Sequence, residues 1–193
     1  MVKRVLQIGD DQQESAMIRS GIEMAGYSVV ALVGTRDNIA SIGAAAYPDL
    51  VVLSIKSPDG FILDQIRKML RAFPCPMVVF AKRSTDHLTR EAINAGVSAY
   101  IVDGFSPERL RPIFSLAIAR FDEVQGLRAK LKNTQMALSE RKLVDKAKGI
   151  LMQKIGVSED QAYKRLRGMA MSGNMKLSQV AKNIISMEQD LAQ

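Results

Sequence analysis

Two adjacent carboxylates, Asp10 and Asp11, follow a short apolar run, Val5-Leu6-Gln7-Ile8, after Gly9. An acidic pair at the end of a strand is a sensible Mg²⁺ site, because that ion takes few, hard oxygen ligands. The same pair serves equally well as hydrogen-bond acceptors in a loop. We assign no metal from the sequence and keep Asp10 with Asp11 as a residual candidate, joined by Asp103 in an acidic pocket. Other metal chemistry is thin. The chain has one cysteine, Cys75, and one histidine, His87, which leaves no zinc cluster and no Cys–His pair. Cys75 lies between Pro74 and Pro76 and reads as a small buried apolar side chain. The expectation is a protein that is not an enzyme and carries no cofactor.

A second group of residues suits a polyanion. The whole chain has 27 Lys+Arg against 20 Asp+Glu, a net charge of +7. Residues 1–119 are nearly balanced, with 13 basic and 12 acidic side chains. The window 124–187 has 13 basic residues against Glu140, Asp145, Glu159 and Asp160, a net of +9. Two segments with such different electrostatics suggest two modules with different work. Arg141, Lys142 and Lys148 project from one predicted helix, Lys164, Arg165 and Arg167 from a second, and Lys176 and Lys182 from a third. DNA, RNA and a merely solvated face are all compatible with that pattern. Bulky apolar residues are not clustered on the polar faces, which disfavours a membrane surface.

The elements that must position these groups follow from periodicity. Apolar runs of strand length occur at Val5–Ile8, 28–33, 50–55, 77–81 and 99–102. Amphipathic stretches at 12–25, 36–46, 60–72 and 86–95 alternate with them. Five such repeats predict an α/β fold with a doubly wound five-stranded parallel sheet, whose ligands bind beyond the carboxyl ends of the strands. Ser106-Pro107-Glu108 then reads as a helix start. From 107 to 139 the apolar positions Leu110, Phe114, Ala117, Phe121, Val124, Leu131 and Leu138 fall mostly at steps of 3, 4 or 7, a coiled-coil-like stripe expected to dimerise. Three short helices follow, at about 139–155, 158–171 and 176–190, with Ser158 and Gln161 set as a capping box. The expected modules are residues 1–120, a long helix over 107–139 and a small three-helix domain over 132–193. The N-terminus has no apolar leader and no stretch reaches membrane-span length, so a cytoplasmic protein is expected.

The first module resembles a two-component receiver domain. The resemblance rests on Asp10-Asp11, on Pro48-Asp49-Leu50-Val51-Val52-Leu53 with Pro58-Asp59-Gly60 after it, and on Ala95-Gly96-Val97-Ser98-Ala99-Tyr100. Receivers carry phosphate on an aspartate at the end of the third strand; here that position is Ser54, a degenerate phosphoacceptor. They place Ser or Thr after the fourth strand and Lys after the fifth; here these are Ala81 and Asp103. The resemblance therefore implies a pseudo-receiver that is not phosphorylated.

The tail resembles an ANTAR domain, through Arg141-Lys142, Ala147-Lys148-Gly149-Ile150-Leu151-Met152, Ala162-Tyr163-Lys164-Arg165-Leu166-Arg167 and Leu177 with Val180-Ala181. The whole chain is similar to the nitrate-response and amidase-regulator antiterminators. That implies binding of leader-transcript RNA hairpins by a homodimer, under control of a ligand-sensing regulatory protein. By family position the RNA-binding residues are Arg141, Lys142, Lys148, Arg165, Arg167 and Lys176. Tyr163 either stacks on a loop base or packs partly into the core. A phosphorylation-switched or DNA-binding response regulator is the alternative.

Overall fold

The computed structural model describes residues 2–191; Met1 and residues 192–193, which fall inside the two expected modules, lie outside the described residues. Strands and helices alternate as β1 (Arg4–Ile8), α1 (Gln12–Met24), β2 (Ser28–Val33), α2 (Ile39–Ala46), β3 (Leu50–Ile55), α3 (Gly60–Ala72), β4 (Met77–Ala81), α4 (Asp86–Asn94) and β5 (Ala99–Val102). The strands pair in parallel in the order β2-β1-β3-β4-β5. This is the doubly wound sheet expected from the alternation. Helix α2 starts three residues later than periodicity suggests. Asn38 caps it, its side chain accepting from the Ser41 N–H at 3.2 Å, while Asp37 folds back on the Gly34 N–H at 2.7 Å.

The central strands β3 and β4 are buried along their whole length, which is why their sequences are unbroken apolar runs. One face of the sheet packs Leu6, Ile8, Val51 and Leu53 against Ile39, Ile62, Ile66 and Met69 of α2 and α3. The other packs Val5, Val52, Val78 and Phe80 against Ile18 and Ile22 of α1 and against Leu110, Phe114 and Ala117. Each such Leu, Ile or Phe contributes about 1.5–3 kcal/mol by leaving water. Gly21 permits the close approach on this face: a Cβ there would lie 2.7 Å from Leu110 Cδ1.

Beyond β5 come α5 (Pro107–Ile155), α6 (Glu159–Ser172) and α7 (Leu177–Leu191). The contacts divide the chain into two compact units after Gln125. The expected break near residue 139 is absent: the long helix and the first helix of the small domain are one element. Nothing at Ser139-Glu140 would end a helix. Pro112 lies inside α5, a breaker that the sequence reading passed over. It has no N–H to give the carbonyl four residues earlier, so one bond is missing near the start of the helix.

The apolar stripe of α5 has two fates. Leu110, Phe114 and Ala117 are in the core under the sheet, whereas Val124, Leu131 and Leu138 are exposed, as are Leu127 and Met136. Gly156 ends the helix with a φ of +67° and its N–H donates to the Met152 carbonyl at 3.1 Å. Ser158 and Gln161 then form the expected capping box of α6. A third core, of Ala147, Leu151, Ala162, Leu166, Ala170, Val180, Ala181 and Ile185, joins the end of α5 to α6 and α7. Among the described residues no helix is long and apolar enough to cross a membrane.

Candidate functional site

Two places carry the chemistry singled out above. The first is a cleft of about 360 Å³ at the carboxyl ends of β1 and β3, the point where the strand order reverses. Asp10, Asp11, Glu14, Ser54, Asp59 and Phe61 are among its lining residues. Its carboxylates are already engaged. Asp10 accepts from the Thr35 N–H at 2.7 Å and from the Thr35 hydroxyl. Asp11 caps α1, accepting from the Glu14 N–H at 3.1 Å, and that bond holds its carboxyl below the usual aspartate value. Asp59 caps α3 through the Ile62 N–H at 2.8 Å. Lys82, one residue past β4, lies 2.9 Å from Glu14 and 3.6 Å from Asp11. Its hydrogen bond to Glu14 raises its pKa. Arg36 stacks over the Phe61 ring at 4.9 Å and stands 3.9 Å from Asp59.

Ser54 lies near the end of β3 and is 6% exposed. Asp103 does not join Asp10 and Asp11 and is absent from the cleft's lining, so it is removed from the expected acidic pocket, where Glu14 and Asp59 stand with the two aspartates. The strand order gives the reason. β3 and β4 stand between β1 and β5, which separates the strand ends by roughly 14 Å, three strand spacings. An aspartate side chain cannot span that distance. Asp103 instead adopts a left-handed backbone, φ +47°, with its N–H on the Ala81 carbonyl at 3.0 Å. The described residues contain no group of three or more acidic, His or Cys side chains arranged to hold a metal. Sequence reasoning missed Glu14, Thr35 and Lys82. Lys82 had a signal, because it follows the fourth apolar run as Asp10 follows the first.

The second place is the surface of the C-terminal unit. Arg141 is 83% exposed by side chain and only loosely approaches Asp145, at 3.9 Å. Lys142, Arg165, Arg167 and Lys176 are exposed, and no carboxylate lies within 4 Å of their cationic groups among the described residues. Lys148 is different. Its side chain is 16% exposed and its ammonium meets Asp145 at 2.8 Å and Glu159 at 2.7 Å. Those two hydrogen bonds raise its pKa, and the Lys148 contact lowers that of Asp145. Arg141, Asp145, Lys148 and Glu159 thus form a chain of alternating charge from α5 to the first turn of α6. Lys148 acts there as a clasp between helices rather than as a free cation.

Helix α6 turns its core stripe, Ala162, Leu166 and Ala170, inward at four-residue intervals. Arg165 and Arg167 are two residues apart, which sets them about 160° apart around the axis. They flank the core stripe on opposite edges and are not brought together. Tyr163 is 42% exposed, so its ring is partly open to solvent.

A comparison with known proteins gives this geometry its family. The ANTAR domain model matches residues 132–185, the end of α5 with α6 and most of α7. The chain is 30% identical over 183 residues to the transcriptional regulatory protein PdtaR of Mycobacterium tuberculosis, covering 95% of this chain and 89% of that one. It is 39% identical over 66 residues to the nitrate regulatory protein of Klebsiella oxytoca, covering 34% and 17%. The first unit has the receiver fold. A two-component response regulator of the LuxR family from Aurantimonas sp. SI85-9A1 matches at TM-score 0.55 and 21% identity, over 62% of this chain and 86% of that one. The chemotaxis protein CheY4 of Vibrio cholerae matches at TM-score 0.52 and 17% identity, over 60% and 98%. Fold and surface therefore define a receiver-like module joined to an ANTAR domain. The chain belongs to the family of ANTAR-domain transcriptional regulatory proteins that includes PdtaR.

Proposed function

We propose that this chain is a non-enzymatic antitermination regulator that acts as a homodimer in the cytoplasm. It binds hairpins in leader RNA through its C-terminal unit. The observation that carries the reading is a coincidence of position. The segment matched by the ANTAR model is the one with the concentrated positive charge, and its Lys142, Arg165, Arg167 and Lys176 stand exposed without carboxylate partners among the described residues. Exposed cations supply phosphate contacts, and unpaired loop bases supply the edges that a protein reads in RNA. The exposed apolar residues Val124, Leu131 and Leu138 of α5 support dimerisation, since two such helices bury the stripe against each other. Two tails on one dimer suit paired hairpins, through effective concentration.

The receiver-like unit supports a role without phosphorylation. Ser54 stands at the acceptor position, and a hydroxyl cannot become an acyl phosphate. Asp103 stands where receivers use a lysine. Control by a ligand-sensing partner protein follows as the reading for this unit. The test compares the full chain's affinity for hairpin RNA and for duplex DNA of equal charge, at two salt concentrations. Tighter hairpin binding that weakens steeply with salt is expected. Equal or tighter DNA binding overturns the RNA reading.

A further inference from the structure

The surface of α6 separates two kinds of contact. Tyr163, Arg167 and Met171 recur every four residues and form one continuous edge of the helix. Tyr163 is 42% exposed, Arg167 is exposed without a carboxylate partner among the described residues, and Met171 is 74% exposed. An aromatic ring, a guanidinium and a thioether in one row make a platform for a flat, electron-rich, partly apolar ligand beside an anion. That is the chemistry of an unpaired nucleobase and its phosphate. Nothing in the packing of α6 requires Met171 outside: the core stripe is complete with Ala162, Leu166 and Ala170. The row begins one turn after Glu159, the end of the Arg141–Asp145–Lys148 charge chain. The other edge has Arg165 and no aromatic residue.

We propose that the Tyr163–Arg167–Met171 edge of α6 holds an unpaired loop base of the RNA, with the base stacked on Tyr163, the Arg167 guanidinium on the adjoining phosphate and Met171 against the base's apolar face. Arg165, about 160° around the helix from both Tyr163 and Arg167, lies outside this contact and serves only as distant positive charge. This rests on the RNA-binding reading and adds to it which edge meets the bases. The occupant is chosen by charge complementarity, since the unit's surface is strongly basic. An acidic peptide would use the cations and leave the stacking face of Tyr163 without a partner.

The test uses the full chain, a pool of hairpin RNAs with one stem and a randomised loop, and a fully paired RNA duplex of the same length. Wild-type protein enriches particular loops from the pool. Tyr163→Ala then lowers affinity for the enriched hairpins roughly 10- to 100-fold and leaves duplex affinity within about twofold. Tyr163→Phe keeps hairpin affinity, because the ring is retained. Met171→Ala gives a smaller hairpin-selective loss and changes which loops are enriched. Arg165→Ala weakens hairpin and duplex by the same factor. All three side chains are at the surface, so unchanged thermal unfolding of each variant is the control. Equal loss on hairpin and duplex for Tyr163→Ala, or a hairpin-selective loss for Arg165→Ala, overturns the assignment of this edge while RNA binding stands. A wild-type chain that binds neither RNA overturns the RNA-binding reading and this one with it.

Discussion

The receiver-like cleft and the C-terminal unit are both rich in charge, yet they use it in opposite ways. In the cleft Asp10 is held by Thr35, Asp11 and Asp59 cap helices, and Lys82 is shared between Glu14 and Asp11. These charged groups have a structural partner within the same unit. In the C-terminal unit Lys142, Arg165, Arg167 and Lys176 have none among the described residues. Residue type therefore says less about function than the state of the neighbours. Lys148 makes the point inside the second unit, for there it is partnered twice and behaves like the charges of the cleft.

The largest effect that sharpens this contrast comes from the packing beneath the basic surface. Leu166 is fully buried in the small third core, so Leu166→Ala is expected to cost about 2–5 kcal/mol. Calorimetry should show the loss in the C-terminal unit, and RNA affinity should fall with it. Persistence of both would mean that the three helices do not depend on one another. Asp103 tests the other region. Its left-handed backbone suits Asp and Asn and penalises a β-branched residue by about 1–2 kcal/mol. Urea unfolding should find Asp103→Val destabilised and Asp103→Asn close to wild type. A large loss for Asn would show that the carboxylate itself is needed.

A smaller effect is expected at the Lys148 clasp. Lys148→Met should lower the melting temperature slightly and disturb hairpin affinity less than Arg141→Ala does; the reverse order would return Lys148 to the RNA contacts. The pH dependence has a definite sign. Asp145 has its pKa lowered from 3.8, so its contribution is complete above that value and is lost as pH falls through the depressed one. Lys148 has its pKa raised from 10.5, so its contribution is complete below that value and is lost as pH rises through the elevated one. Between about pH 5 and 9 the clasp is constant, and melting curves across that window should show no step from it. The smallest expected effect is none: with Mg²⁺ and acetyl phosphate, mass spectrometry should find no adduct of about 80 Da on residues 1–125. A stable adduct there would reverse the reading of Ser54.

Much of this was legible before any coordinates. The five strands follow from the apolar runs, and the capping box of α6 from Ser158 and Gln161, because both are local signals. Asp10 and Asp11 stand out in the sequence for the same reason. What spacing could not supply was non-local. Asp103 belongs to the same end of the sheet as Asp10, but its distance depends on strand order, which spacing alone does not print. Lys148 looks like its exposed neighbours in the sequence, and only the approach of α6 to α5 supplies Glu159. The break placed at 139 had a simpler cause, since the stretch there contains no Pro, Gly or cap to stop a helix.

The capping box has a consequence for where a polyanion settles. A helix start normally offers bare N–H groups and a partial positive charge, and phosphate gathers there. At α6 the Ser158 hydroxyl accepts from the Gln161 N–H, the Gln161 side chain accepts from the Ser158 N–H, and Glu159 and Asp160 bring two negative charges to the first turn. The two carboxylates and the engaged cap groups disfavour phosphate at that tip. On the proposed RNA-binding reading, phosphate contacts then fall to the sides of α6 rather than to its tip.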